Sequence, residues 1–366
     1  MGNRVKVLCM KISRFLPGLG ALALMVAGLA GSSAQAAPAA GQPGSTAQLV
    51  ILDTDIGDDI DDAFALALVL RSPELKILGI TTAYGDTELR ALLVERYLNA
   101  VGRDDIPVYI GIPTPHSNVF TQAAYAQPPA LQLGDTCTHQ LLSVSQLPTP
   151  QREQDRYDAC EKDRGDAVGF ILQNARAHPG QITLIAIGPL FNIQAAIERD
   201  PATFRQLKRV VLMGGSIYRG YGDANAPPSS EWNINRDPAG ARALLDAGVP
   251  VFMMPLDSTQ IHLEAKDREA IFSHGSPLTD QLTLLYHQWM AGSEGHPVTP
   301  TLFDPVAVAY AIHPELCPAT PMRLEVDDKG FTRPIEGAPN AQVCLKSDES
   351  GFLKLLLHRI TTEDAH

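Results

Sequence analysis

The sequence is poor in basic residues, with 29 Lys and Arg side chains against 41 Asp and Glu and a formal net charge of −12 at pH 7. Four of the basic residues, Arg4, Lys6, Lys11 and Arg14, precede residue 15 in a stretch without acids. Without residues 1–36 the net charge is −16. Such a surface repels phosphate groups, so the composition argues against nucleic acid or an anionic membrane as a partner.

Long apolar segments are also lacking beyond the N-terminus, so no stable membrane insertion of the mature chain is expected. The one apolar run, at about residues 15–30, follows the four basic residues and precedes Ala34-Gln35-Ala36, a small-residue cleavage site. This order is typical of a secretory signal peptide. A membrane anchor is the alternative, but the run is short and rich in Gly and Ala. We therefore expect a periplasmic or secreted protein, cleaved near Ala36, with a disordered lead-in at residues 37–47.

The sequence has only five cysteines, and no pair of them has the spacing of a zinc site. Cys9 would leave with the signal peptide. The other four form an even set, as expected in an oxidising compartment. Three connectivities are possible for four cysteines, and we predict the two local bridges, Cys137–Cys160 and Cys317–Cys344.

Short apolar stretches alternate with helical stretches along the rest of the chain, and no internal repeat is visible. Strands are predicted at residues 48–53, 76–81, 107–110, 182–187, 209–213 and 249–255, and helices at 62–70, 87–101, 166–177, 192–198, 238–247, 278–290 and 304–311. This alternation is typical of an α/β fold with a mostly parallel central sheet and helices on both faces. We expect one α/β domain over residues 48–366, with a Cys-containing insertion at about 113–164. A β-rich excursion at 317–347 and a last helix near 351–360 complete the chain.

Residues 53–62 contain six aspartates where a predicted strand gives way to a helix. In open parallel sheets, ligands bind beyond the carboxyl ends of the strands. Unpaired carboxylates at this density repel one another, and a divalent cation such as Ca²⁺ or Mg²⁺ would resolve the conflict. An acidic turn that caps the helix is the simpler alternative. An EF-hand is excluded because Gly57 occupies the fifth loop position, where a ligand is required.

The acidic segment resembles the signature of the nucleoside hydrolase family, the inosine/uridine-preferring nucleoside N-ribohydrolases. That signature is usually Asp-x-Asp-x-Gly-x-Asp-Asp, and this chain has two extra residues before the closing pair. We align Asp61 and Asp62 with that pair, with Asp59 as the alternative. Residues 187–192, 225–233 and 303–305 resemble three further family motifs: the Gly-Pro-Leu-Thr-Asn turn, the Asn-(x)5-Glu-Phe-Asn segment and His-Asp-Pro.

The resemblance implies Ca²⁺-dependent cleavage of the N-glycosidic bond of ribonucleosides to ribose and free base. The implied calcium ligands are Asp55, Asp62, the backbone carbonyl of Ile187, and Asp304, with Asp59 as the fallback and Asp53 supporting the metal shell from behind. Asp55 is the implied general base. The implied contacts to the ribonucleoside, a small-molecule partner, are Asp61, Asp86, Met213, Asn225, Glu231 and Asn233. Whether the chain forms a homo-oligomer is open.

Two positions depart from the family pattern. Phe303 stands where purine-preferring members have the histidine that protonates the departing base, which leaves that task to His296, His287 or Tyr286, or to a base that needs less help. Asp86 stands where Asn is usual and could instead cap the helix that follows it. These departures leave open a calcium-dependent ribosyl-ligand binding protein with lapsed catalysis. A metal-dependent phosphohydrolase is a second alternative, because Asp53 directly follows the first strand, where such enzymes have their nucleophile.

Overall fold

The computed structural model describes residues 47–115, 120–126, 165–292 and 298–362. These residues belong to one folded unit that spans Ser45–His366. The predicted signal peptide, most of the insertion, the Cys137–Cys160 bridge and His296 lie outside the described residues.

Nine strands form one sheet in the order β3-β2-β1-β4-β5-β6-β9-β7-β8. The strands are β1 Gln48–Thr54, β2 Leu75–Thr82, β3 Val108–Tyr109, β4 Thr183–Ala186, β5 Arg209–Met213, β6 Val251–Met254, β7 Ala319–Val326, β8 Thr332–Ile335 and β9 Ala341–Cys344. Every pairing from β3 to β9 is parallel, whereas β7 pairs antiparallel with both β9 and β8. The mostly parallel α/β sheet predicted from the alternation is confirmed.

The described helices, numbered in chain order, connect these strands. They are α1 Asp61–Leu70, α2 Thr87–Ala100, α3 Ala123–Ala126, α4 Ala167–Ala177, α5 Phe191–Arg199, α6 Pro201–Phe204, α7 Trp232–Arg236, α8 Pro238–Asp246, α9 Leu256–Thr259, α10 Ala265–Phe272, α11 Pro277–Gly292, α12 Pro305–Ile312 and α13 Glu349–Thr361, with a 3₁₀ turn at Pro314–Leu316. Within the described ranges, no helix is both long and apolar enough to cross a membrane.

Alternate residues of β1 enter two different hydrophobic cores, which is why the strand is apolar throughout. Val50 and Leu52 pack with α1, α2, α12 and α13, whereas Ile51 packs with α4, α5 and α8. The sheet therefore carries helices on both faces. Since β1, β4 and β5 are parallel and in register, the loops that follow Thr54, Ala186 and Met213 meet at one edge.

The C-terminal strands do more than form an excursion. β9 pairs with β6 and so extends the central sheet by a strand from the far end of the sequence. The predicted Cys317–Cys344 disulfide is present, with both cysteines buried. The pattern of the sequence missed α10, because Ile271 is its one buried residue and no apolar periodicity marks it. The short helix α7 was missed too, although it carries residues of the site.

Candidate active site

The acidic segment forms a tight turn between β1 and α1. Its glycine, Gly57, has φ +129°, a conformation that other residues rarely adopt. A Cβ atom at this position would lie 1.6 Å from the ring of Phe120, so neither the backbone nor the space admits a side chain. The turn delivers Asp61 and Asp62 to the first turn of α1, where free N–H groups favour negative charge.

Three buried carboxylates converge at the start of α1. Asp61, Asp62 and Asp304 each offer an oxygen within 4.8 Å of the others. Asp304 immediately precedes α12, and its backbone N–H donates to Asp61 Oδ2 at 3.4 Å. Burial raises the pKa of all three carboxyl groups well above the usual range, and the neighbouring aspartates raise it further. A hard divalent cation would relieve this repulsion with the oxygen ligands that it prefers, so the residues present fit such an ion.

Asp55 follows β1 directly and lines the same cavity as these carboxylates. Burial raises the pKa of Asp55 to about 7, while the Arg90 guanidinium opposes that shift and the Asp58 carboxylate adds to it. The turn that follows β4 lies close to Asp55, because a Cβ atom on its Gly188 would be only 2.8 Å from Asp55 Oδ1. Asp55 is therefore a buried carboxyl group whose proton can come and go near neutral pH.

Asp53 lies behind the cavity and does not line it. Its Oδ1 accepts hydrogen bonds from Thr81 Oγ1 at 2.5 Å and from Asn192 Nδ2 at 2.7 Å. Burial raises the pKa of Asp53 to about 6, although these hydrogen bonds oppose the shift. Its other oxygen, Oδ2, is buried and has no hydrogen-bond partner among the described residues.

Glu231, the N-cap residue of α7, and Asn233 in its first turn line the same cavity. The Glu231 carboxylate caps this helix by accepting from the backbone N–H groups of Asn233 and Ile234, and it also accepts from Gly215 N at 2.9 Å. Burial raises the pKa of Glu231, against the effect of these hydrogen bonds. Asn233 Nδ2 lies 3.2 Å from the backbone oxygens of both Ile187 and Met213. The amide thus joins the ends of β4 and β5 to the cavity.

The cavity enclosed by these walls has a volume of about 490 Å³. Its lining combines carboxylates with aromatic rings. The lining residues are Asp55, Asp58, Asp59, Asp61, Asp62, Thr121, Ile187, Met213, Tyr221, Glu231, Trp232, Asn233, Trp289, Phe303 and Asp304. The rings of Tyr221 and Phe303 meet edge to face, with centroids 5.9 Å apart. A ligand with a polar, hydroxyl-bearing part and a flat apolar part matches such a lining.

Comparison with known proteins identifies the family. The profile described as inosine-uridine preferring nucleoside hydrolase matches residues 50–354. The chain belongs to this family. It is 31% identical to the pyrimidine-specific ribonucleoside hydrolase RihA of Citrobacter koseri over 337 residues, which cover 85% of this chain and 97% of that protein. It is 29% identical to uridine nucleosidase 1 of Arabidopsis thaliana over 276 residues, covering 73% and 74%.

Solved structures agree with this assignment. The plant nucleoside hydrolase PpNRh1 superimposes with a TM-score of 0.69 at 26% identity, covering 87% of this chain and 100% of that structure. Members of this family are hydrolases of N-glycosyl bonds, and this chain is therefore an enzyme of that class.

Most residues aligned with nucleoside hydrolase motifs come together, although hundreds of residues separate them. Asp55, Asp59, Asp61, Asp62, Ile187, Met213, Glu231, Asn233 and Asp304 all line the cavity. One difference concerns the grouping of the aspartates. Asp61, which the resemblance assigns to the sugar, lies in the compact trio with Asp62 and Asp304, whereas Asp55 is outside that trio.

Two predicted sugar contacts are not brought to the cavity. Asp86 is exposed and accepts from Leu89 N at 2.9 Å, so its carboxylate caps α2, the alternative that the sequence left open. Asn225 is also exposed and does not line the cavity. Both side chains are exposed to solvent. The spacing of residues within a motif does not predict this, because it carries no information about the direction of a side chain.

Two of the three predicted substitutes for the leaving-group histidine, Tyr286 and His287, do not line the cavity, and the third, His296, lies outside the described residues. Tyr286 packs against Phe272 and Trp289, and His287 is exposed. Phe303, at the position of the family histidine, does line the cavity. Sequence reasoning missed three other lining residues, Thr121, Tyr221 and Trp289, because Trp289 reads as the apolar face of a helix and the other two stand in irregular loops.

Proposed function

We propose that this protein is an exported, Ca²⁺-dependent hydrolase that cleaves the N-glycosidic bond of ribonucleosides. The observation that carries the proposal is the buried trio Asp61, Asp62 and Asp304, which lines one cavity of nucleoside size together with Glu231 and Asn233. Relatives named for pyrimidine ribonucleosides and uridine support ribonucleosides as the substrate class. Uridine is therefore the first substrate to test.

Asp62 and Asp304, with Asp55 and the carbonyl of Ile187, would hold the ion, and Asp61 stands close enough to share it. Calcium prefers six to eight oxygen ligands, which carboxylates, a carbonyl, water and sugar hydroxyls can together supply. When bound, the ion would lower the pKa of a coordinated water and orient the 2′- and 3′-hydroxyls of the ribose. Asn233 must then turn its amide from the Ile187 carbonyl toward the sugar.

Asp55 acts as the general base in the proposed reaction. Its carboxylate takes a proton from the attacking water, and the water oxygen forms a bond to C1′ of the ribose. The C1′–N bond breaks, and its electron pair leaves with the nucleobase. Without the ion, burial raises the pKa of Asp55 to about 7, and a bound cation would lower it, so that the carboxylate is ionised and able to accept a proton at neutral pH. The surrounding carboxylates stabilise the positive charge that develops on the sugar.

In the proposed complex, Glu231 and Asn233 hold the sugar through hydrogen bonds to its hydroxyl groups. The Glu231 carboxylate is fixed by three backbone N–H donors, so it presents an acceptor in a set position. The Asn233 amide offers both a donor and an acceptor to a hydroxyl group. Above them, the rings of Tyr221 and Phe303 provide an apolar surface for a flat base.

The two alternative functions differ in their support. A phosphohydrolase with Asp53 as nucleophile is not supported, because Asp53 is fully buried behind the cavity and bound by Thr81 and Asn192. A binding protein with lapsed catalysis is favoured only by Phe303, which cannot donate a proton to the leaving base.

The deciding experiment incubates the mature protein with uridine, cytidine, inosine and adenosine, in Ca²⁺ and in chelator, and measures reducing sugar. We expect the wild type to release sugar only when the cation is present. The Asp304→Asn variant should release no sugar. Release of inorganic phosphate from phosphorylated substrates would support the phosphohydrolase instead. Calorimetric binding of nucleosides without any sugar release would identify a binding protein.

A further inference from the structure

A buried arginine lies directly beneath the acidic turn. Arg90, on α2, has a side chain only 1% exposed. Its Nη1 donates to the backbone oxygens of Asp55 and of Ile56, the latter at 2.9 Å, and its Nε donates to Tyr84 O at 2.8 Å. Its Nη2 pairs with Asp58 Oδ2 at 3.0 Å. All three guanidinium nitrogens therefore donate hydrogen bonds, and two of them, Nη1 and Nη2, donate to the turn itself.

A second segment holds the same turn from the other side. Gln122 donates its backbone N–H to Gly57 O at 3.0 Å and its Nε2 to Asp59 O at 2.6 Å. Phe120, two residues earlier, covers Gly57 and lies with its ring centroid 5.2 Å from the Arg90 guanidinium carbon. Arg90 and this segment thus enclose the turn between them.

Together these groups donate hydrogen bonds to every backbone carbonyl of the turn from Asp55 to Asp59. Each of the five carbonyls from Asp55 to Asp59 accepts a hydrogen bond from a residue outside the turn; the donors are Arg90 for the first two, Gln122 for Gly57 and Asp59, and Thr121 for Asp58. Buried carbonyls without partners are costly, and this turn is two residues longer than the family signature, so it has two more carbonyls to satisfy. The longer turn therefore needs the donors that Arg90, Thr121 and Gln122 supply.

We propose that Arg90 is a positioning residue that holds the turn in the shape in which Asp55 and Asp59 face the bound cation. This inference depends on the proposed function, because it assumes a cation at the trio. Arg90 does not line the cavity, and it acts through the backbone of Asp55 and the carboxylate of Asp58. Groups that orient metal ligands from behind typically contribute roughly 10- to 100-fold to metal affinity or activity.

The planar fork of arginine is essential to this role. Its donors reach three separate acceptors in fixed directions, whereas a lysine ammonium is a single point on a flexible stem. Arg90→Lys keeps the buried charge but not the fork. If only the positive charge were needed, Arg90→Lys would bind Ca²⁺ as tightly as the wild type. If the directions of the donors are needed, Arg90→Lys binds Ca²⁺ more weakly.

The test measures Ca²⁺ affinity by isothermal titration calorimetry for the wild type, Arg90→Lys and Arg90→Ala. We expect both variants to bind Ca²⁺ roughly 10- to 100-fold more weakly, and methylguanidinium added to Arg90→Ala to recover part of the loss. Arg96→Lys and Arg96→Ala are the matched controls: Arg96 lies on the same helix and donates to Tyr125 O, but it does not touch the turn. Both should bind Ca²⁺ like the wild type.

Gln122→Leu keeps the inference testable if the Arg90 variants do not fold. Gln122 Oε1 is buried and has no hydrogen-bond partner among the described residues, so leucine removes an unsatisfied acceptor together with the bond to Asp59. We expect weaker Ca²⁺ binding in a folded protein. Wild-type protein that binds no Ca²⁺ would overturn the proposed function and this inference together. Wild-type protein that binds Ca²⁺, with folded Arg90 or Gln122 variants of equal affinity, would overturn only the inference, as would equal losses in the Arg96 controls.

Discussion

Removal of divalent ions should make the stability of this protein fall as the pH rises from about 4 to about 7. Without a cation, burial raises the pKa of Asp55 from 3.8 to about 7. The unfolded chain loses this proton near pH 3.8, whereas the folded chain keeps it until about pH 7. The folded state therefore binds more protons in this window, and the free energy of unfolding must decrease as the pH rises. The stabilisation is complete below the window and lost above it.

The size of the effect follows from the same pKa shift. A shift of about three units at about 1.4 kcal/mol per unit gives a loss of about 4 kcal/mol from Asp55. The folded unit spans Ser45–His366. For roughly 320 residues, an unfolding entropy of about 2.1 cal/mol/K per residue converts this loss into a decrease in Tm of about 6 °C.

Differential scanning calorimetry between pH 4 and pH 8 measures this difference. The chelated protein should lose about 6 °C across the range, and the Ca²⁺-loaded protein should not, because the cation compensates the ionised carboxylates. Asp55→Asn should make the chelated curve less steep, and the raised pKa values of Asp53, Asp61, Asp62 and Asp304 keep part of the slope. Asp105→Asn is the control, since Asp105 is exposed and its pairing with Arg103 lowers its pKa, so it does not titrate in this range. A chelated Tm that is flat, or that rises with pH, would refute the reasoning.

Three further predictions concern the chemistry and the fold. Asp55→Asn keeps the size of the side chain but cannot accept the proton of water; kcat should fall roughly a hundredfold or more while calorimetry still detects nucleoside binding, and near-normal turnover would contradict the role of Asp55. Paired Cys317→Ser and Cys344→Ser substitutions open a loop with a sequence separation of 27; denaturant unfolding should show a loss of about 3.5 kcal/mol, and an unchanged midpoint would show that the bridge does not stabilise the fold. Because Phe303 cannot protonate a leaving nucleobase, p-nitrophenyl riboside should be cleaved far faster than inosine, and Phe303→His should raise the inosine rate selectively. Equal wild-type rates for the two substrates would reveal another acid. The next variants to measure would then be His296→Ala, His287→Ala and Tyr286→Phe.

The strands and main helices could be predicted from the sequence because their signals are local. The strand predicted at residues 209–213 contains the uninterrupted apolar run 210–213, and the structure has β5 at Arg209–Met213. Where the deciding contact is distant, the sequence carries no signal. β9 looks like part of a separate β-rich segment, yet it pairs with β6 because the intervening helices bring it to that edge of the sheet.

The sequence by itself determined the fold class, the acidic turn at the end of β1 and the order of the family motifs, since each depends on residue type and spacing over a few positions. Only the tertiary structure decided which side chains meet. It gathers Asp61, Asp62 and Asp304 into one group, turns Asp86 and Asn225 away from the cavity, and places Arg90 under the turn. The physical reason is that side-chain direction and burial depend on packing between segments far apart in the chain. A short motif determines which groups are available, and the packing of the whole sheet determines which of them share a cavity.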